Sequence, residues 1–255
     1  MKNLEIIQER GFQYVETGKG SPVVLLHGLF GALSNWLDTV DFLAPRYTLF
    51  IPIIPVYEAG TTAASVEGLA HFVQDFIQFK QLKNFTLIGN SLGGHLALLL
   101  AINPPADIYS LVLTGSSGLF EEGMGAGFPK RGDRKYIQER VEYTFYSPQT
   151  ASKELVNEIY NIVNDNAKAM RILKIARSAQ RMNLREDIKK IKLPTCLIWG
   201  LNDNITPAYV AHQFRRLIQG AELHFIDQCG HAAMMEQPHM FNSIVAQFFQ
   251  KINFT

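Results

Sequence analysis

The chain has 255 residues with 24 Lys and Arg against 23 Asp and Glu, and its formal net charge of +1 gives no reason to expect nucleic acid or an anionic membrane as partner. A hydrophobic fraction of 47% and a charged fraction of 18% are ordinary for a globular protein in water. The length suits one sizeable domain, or one domain carrying an insertion, with a core large enough to need no disulfide or metal staple.

The opening Met1-Lys2-Asn3-Leu4-Glu5-Ile6-Ile7 lacks the long apolar stretch of a signal peptide. No apolar run is long enough to cross a bilayer; Leu96 to Ile102 is too short and belongs to a helix. Cys196 sits inside an apolar run, where a buried free thiol is expected, so a reduced, cytoplasmic location is the expectation.

Taken in chain order, Phe12 to Thr17 reads as a strand, followed by a turn at Gly18-Lys19-Gly20-Ser21-Pro22. Val23 to Leu26 is a continuous apolar run ending at His27-Gly28, as expected of a strand covered on both faces. Tyr47 to Ile54 and Phe85 to Ile88 are runs of the same kind, and Val66 to Phe79 between them places Leu69, Val73, Phe76 and Ile77 on one helical face. Leu92 to Ile102 is apolar nearly all round, as a helix packed deep against a sheet should be. Tyr109 to Thr114, Thr195 to Trp199 and Glu222 to Ile226 complete the strands. Pro207 to Ile218 and Pro238 to Lys251 read as helices with proline at the start, where its missing N–H costs nothing. Strands alternating with helices imply βαβ units and a mostly parallel sheet.

The interval 119–187 breaks this rhythm. It opens with Gly123, Gly125 and Gly127 and continues as helical patterns without a convincing strand. It reads as a helical cap inserted into a core made of 1–118 and 188–255, lying over the carboxyl ends of the strands, where open α/β sheets bind ligands.

Gly89-Asn90-Ser91-Leu92-Gly93 is G-x-S-x-G between a predicted strand and a predicted helix. In such an elbow the serine occupies a tight turn, and flanking glycines let helix and strand approach closely. A serine hydroxyl is a weak nucleophile until a base takes its proton. Of the seven histidines, His71, His95, His212 and His239 lie on predicted helices, His224 lies in a strand, and His27 belongs to loop architecture. His231 alone follows the last strand, at the sheet's carboxyl edge. Asp203, in the loop after the penultimate strand, is the expected orienting acid, because the other position, after Thr114, holds Gly115-Ser116-Ser117-Gly118 and no carboxylate. The order Ser91, Asp203, His231 is the order this architecture requires. An oxyanion needs two donors, expected from the backbone N–H groups of Leu92 and Leu29.

These residues resemble the α/β-hydrolase superfamily over almost the whole chain, through Leu25-Leu26-His27-Gly28, Gly89 to Gly94, Trp199-Gly200 with Asp203 and Pro207, and Gly230-His231 with Glu236-Gln237-Pro238. The resemblance implies an α/β-hydrolase fold, a mostly parallel central sheet flanked by helices with a helical cap. The elbow Gly-Asn-Ser-Leu-Gly-Gly is similar to that of meta-cleavage-product hydrolases, which split carbon–carbon bonds. Those enzymes usually carry Gly-Pro-Gly where this chain has Leu29-Phe30-Gly31-Ala32, and a tryptophan where it has Ala232-Ala233. Carboxylesterase-like chemistry is therefore expected first, with carbon–carbon bond hydrolysis as the alternative and a non-catalytic binding or signalling role as a third.

Phe30 and Asn90 are expected to meet the substrate. Lys168, Arg171, Lys174, Arg177 and Arg181 recur at helical spacing and read as a solvated face, with the sharper expectation that Arg171 or Arg177 turns inward to hold a substrate carboxylate. Phe120, Phe128, Tyr143, Phe145 and Tyr146 read as core of the insertion or as an apolar substrate pocket. With no metal-ligand spacing and no dinucleotide fingerprint, no metal and no cofactor is expected. The expected partner is a small-molecule substrate, and the sequence leaves the oligomeric state open.

Overall fold

The apolar runs become strands and the amphipathic stretches become helices in a computed structural model that describes residues 4–31, 33–58, 60, 63–104, 107–120 and 130–255. The strands are β1 (Ile7–Glu9), β2 (Phe12–Gly18), β3 (Ser21–Leu26), β4 (Tyr47–Pro52), β5 (Phe85–Asn90), β6 (Ile108–Thr114), β7 (Thr195–Gly200) and β8 (Glu222–Ile226). They form one sheet of eight strands in the order β1-β2-β4-β3-β5-β6-β7-β8. Every pair from β4 to β8 is parallel, while β1 and β2 add an antiparallel edge.

The helices are α1 (Leu37–Leu43), α2 (Val66–Phe79), α3 (Leu92–Ile102), α4 (Arg134–Glu142), α5 (Lys153–Asn164), α6 (Asn166–Arg181), α7 (Ala208–Leu217), α8 (Ala233–Glu236) and α9 (Pro238–Lys251). Side-chain caps fix several starts. Ser65 accepts from the Gly68 amide at 3.1 Å, and Asp133, Ser152 and Asp165 cap α4, α5 and α6 in the same way. Pro207 serves as the residue before α7 rather than within it.

Each inner strand feeds both faces, as its two-residue period requires. Val24 and Leu26, with Leu197 and Trp199, pack with α2, α3 and α7, while Val23 and Leu25, with Cys196 and Ile198, pack with α1 and α9. Full burial of one such aliphatic side chain contributes roughly 1.5–3 kcal/mol, which explains why these strands read as unbroken apolar runs. Both cysteines are buried and free. No helix among the described residues is long and apolar enough to cross a membrane.

Between β6 and β7 the chain runs through α4, α5 and α6, and no strand intervenes among the described residues. The glycine-rich stretch, with Phe128, lies outside the described residues. Ile137, Val141, Val156 and Ile159 join one apolar cluster and Ile172, Ile175 and Ala176 the other, so these helices rest on the sheet layers rather than standing apart from them.

Candidate active site

Ser91 separates β5 from α3 with φ 55° and ψ −118°, in the left-handed region that charges any side chain for its Cβ. The turn is tight because the glycines around it allow backbone contact. A Cβ on Gly93 would lie 2.1 Å from the Leu26 carbonyl oxygen, and one on Gly89 would lie 2.5 Å from that of Gly93. The strained conformation is held from outside the turn. The Ser91 N–H donates to the Thr114 carbonyl at 3.1 Å, and its own carbonyl accepts from the amides of His95 (3.1 Å) and Ser117 (3.2 Å) and from Ser117 Oγ (3.3 Å).

His231 occupies the loop after β8, and its Nδ1 lies 2.9 Å from Asp203 Oδ2 and 3.2 Å from Oδ1. Both side chains are buried, His231 at 7% and Asp203 at 4% exposure. The carboxylate also accepts from the amides of Ile205 (2.8 Å) and Thr206 (2.9 Å) and from Thr206 Oγ1 (2.8 Å). Three further donors thus hold the acid in one orientation, and the acid in turn fixes the imidazole with Nδ1 as its N–H.

Ser91 and His231 face a shared cavity of about 130 Å³. Its floor comes from the core, through Gly28 to Gly31, Leu92, Ile205 and Met235. Its walls come from α4, α5, α6 and the segment after α4, chiefly Val141, Phe145, Leu155, Ile159, Ile175 and Ala176. Leu29 and Leu92, expected to supply backbone donors, both border the cavity beside Ser91, as does the half-buried Phe30.

His27 stays outside the reacting group, as its place in the loop architecture implies. Its Nε2 accepts from the Ile54 amide at 3.2 Å, so the proton sits on Nδ1, which donates to the Gly28 carbonyl at 2.9 Å. Burial holds its pKa below the ordinary histidine value, against the opposing pull of the Gly28 carbonyl. The ring therefore braces the loop that carries Leu29 against the segment after β4.

Of the residues expected to contact substrate, Asn90 lines the cavity, while Arg171 and Arg177 are not part of its lining. Arg171 does turn inward, but its Nε and Nη2 meet the Pro55 carbonyl at 3.3 and 3.0 Å, tying α6 to the loop after β4 away from the cavity. Arg177 is exposed on the outer face of α6. Asn90 borders the cavity, yet its amide nitrogen donates to the carbonyls of Thr114 and His231, both at 3.1 Å, which makes it a strut between loops. Of the described aromatic residues expected in the insertion, Phe145 lines the cavity, while Phe120, Tyr143 and Tyr146 are exposed at 44%, 42% and 47%.

The sequence reading missed Arg140, the arginine that does line the cavity, with its guanidinium 5.3 Å from the Tyr143 ring centroid. It also missed Ser117, Thr206 and the α5 residues. A signal for Arg140 was present: it precedes Val141, which shares the buried stripe of α4 with Ile137. Among the described residues, no three His, Cys, Asp or Glu side chains are grouped so that they could hold a metal ion.

Several known proteins are similar to this chain along most of its length. Monoacylglycerol lipase ABHD6 from Homo sapiens is 24% identical over 98% of this chain and 82% of its own. The 2-hydroxy-6-oxo-6-(2'-aminophenyl)hexa-2,4-dienoic acid hydrolase of Metapseudomonas resinovorans is 26% identical over 94% of this chain and 87% of its own. Among solved structures, MGS-MChE2, an alpha/beta hydrolase enzyme from the metagenome of sediments from the lagoon of Mar Chica, Morocco, is 40% identical, covers 98% of this chain and 100% of its own, and superposes with a TM-score of 0.81. With a family model for the alpha/beta hydrolase fold matching residues 21–238, the chain belongs to that family and is a hydrolase.

Proposed function

We propose that the protein hydrolyses a carboxylic ester with an apolar acyl group of small or medium size, through an acyl-enzyme on Ser91. The observation that carries this reading is the buried His231–Asp203 pair, 2.9 Å apart, opening with Ser91 onto one apolar-walled cavity. Nδ1 of His231 is committed to Asp203, so Nε2 is the nitrogen that takes the Ser91 proton. The serine oxygen then attacks the ester carbon, and the carbonyl electrons move onto an oxyanion held by the Leu29 and Leu92 amides. Collapse breaks the ester C–O bond, and the imidazolium gives its proton to the departing alcohol. Water, deprotonated by the same nitrogen, releases the acid. Residues 119–187 serve as the cap that excludes bulk water and supplies the acyl-binding wall.

The named relatives fit this reading in different ways. The monoacylglycerol lipase fits the ester reading, and the dienoic acid hydrolase fits a second reading, carbon–carbon bond hydrolysis, for which Arg140 in the cavity lining brings a positive charge near a substrate carboxylate. A panel of p-nitrophenyl esters of graded chain length, monoacylglycerols and ring-fission dienoates separates the two. Turnover of esters, with fluorophosphonate labelling of wild type and none of Ser91→Ala, is the expected result. Labelling that survives Ser91→Ala would refute the assignment of the nucleophile.

A further inference from the structure

We infer that Glu236 is a positioning residue, which holds His231 in register by locking the His231 loop to the segment that follows α4. The inference rests on the reading of Ser91, His231 and Asp203 as the reacting residues. Glu236 ends the four-residue helix α8 and sends its carboxylate back toward the loop that precedes it. Oε2 accepts from the Gly230 amide at 2.6 Å, and Oε1 accepts from the Ser147 amide at 2.6 Å. Each oxygen thus holds one of two chain segments, and the donor on one side is the residue immediately before His231. Charge-assisted bonds of this length are roughly twice as strong as neutral ones.

The backbone of His231 itself completes the lock. Its N–H donates to the Thr144 carbonyl at 2.9 Å, and its carbonyl accepts from Asn90 at 3.1 Å. Gly230 lets the two segments touch: a Cβ there would lie 2.7 Å from the Thr144 oxygen and 2.8 Å from Phe145 Cα and the Tyr146 nitrogen. The same segment carries Thr144 and Phe145 into the cavity wall. Glu236 therefore joins the cavity wall to the imidazole through two amides without itself lining the cavity. Misplacing a reacting group by about 1 Å can cost about a hundredfold in rate, so a lock of this kind acts on kcat.

The test is Glu236→Gln, which keeps one acceptor and turns an NH2 toward the other amide. Active-site titration counts competent molecules, and circular dichroism confirms the fold. The expected result is a fall in kcat per titrated site of about 10- to 100-fold, with fluorophosphonate labelling slowed by the same factor. The acid limb of the pH profile of kcat/KM should move to lower pH, because an imidazole loosened from Asp203 loses part of its stabilising charge. Glu236→Asp, too short to reach both amides, should move each readout in the same direction. Fewer titratable sites with wild-type kcat per site and an unmoved profile would overturn the inference and leave a structural role. Retained activity in His231→Ala would instead overturn the reading it rests on. Should neither Glu236 variant fold, amide exchange in the wild type decides. A shared lock opens in one event, so Gly230 and Ser147 should exchange at matching rates, and rates differing more than about tenfold overturn it.

Discussion

Replacing His95 with leucine removes an imidazole that α3 buries completely beneath the Ser91 turn. Nδ1 lies 3.3 Å from Ser117 Oγ, and Nε2 has no hydrogen-bond partner among the described residues. Burial pushes the ring down from 6.5 to about 4, only partly offset by the Glu67 carboxylate. The folded pKa is depressed, so the neutral ring's stability is fully present above about pH 6.5 and is lost as pH falls toward the folded value. At about 1.4 kcal/mol per unit, full protonation removes about 3 kcal/mol, of which about 2 kcal/mol is already gone near pH 5. Urea unfolding of wild type and His95→Leu at about pH 7.5 and about pH 5 isolates this contribution, because the carboxylates common to both proteins cancel. Wild type should lose about 2 kcal/mol more than the variant over that interval. Equal losses would show that the folded protein accommodates the charged ring, and would refute the desolvation argument.

Asp203→Asn should lower kcat by about 10³- to 10⁴-fold with the fold intact, since the amide no longer dictates which nitrogen carries the imidazole proton; ester kinetics with circular dichroism check it. Ala176→Leu fills part of the cavity wall, so turnover of longer acyl esters should fall about tenfold or more while acetate esters keep theirs, and an unchanged chain-length profile would remove α6 from the acyl wall. The Cys229 thiol, pushed up to about 12 by burial and then by the Glu236 and Asp203 carboxylates, should resist iodoacetamide near pH 8 in the native protein and react after unfolding in urea, as mass spectrometry would show.

The inner strands were legible because burial on both faces leaves a continuous apolar run, and β8 was found with the bounds it has, Glu222 to Ile226. β1 was not, since Ile7-Gln8-Glu9 is a three-residue edge with two exposed positions and no pattern to read. Parallel topology fixed which loops share the carboxyl edge, and that was enough to bring Asp203 and His231 together from 28 residues apart. The cavity wall was harder. Helical periodicity on α6 says which residues share a face but not how that face is rotated toward the sheet, so Arg171 turned inward to a backbone carbonyl while Arg140, on another helix, reached the cavity. Glu236 was legible only as part of a motif, because its partners are backbone amides, which leave no trace in side-chain spacing.

At φ 55° and ψ −118° the residue between β5 and α3 sits where glycine alone is comfortable. A polymer shaped by durability alone would place glycine there, and keeping a hydroxyl instead carries a standing penalty of about 1–3 kcal/mol. With Ser91 as the proposed nucleophile, resilience and reactivity pull in opposite directions at a single position.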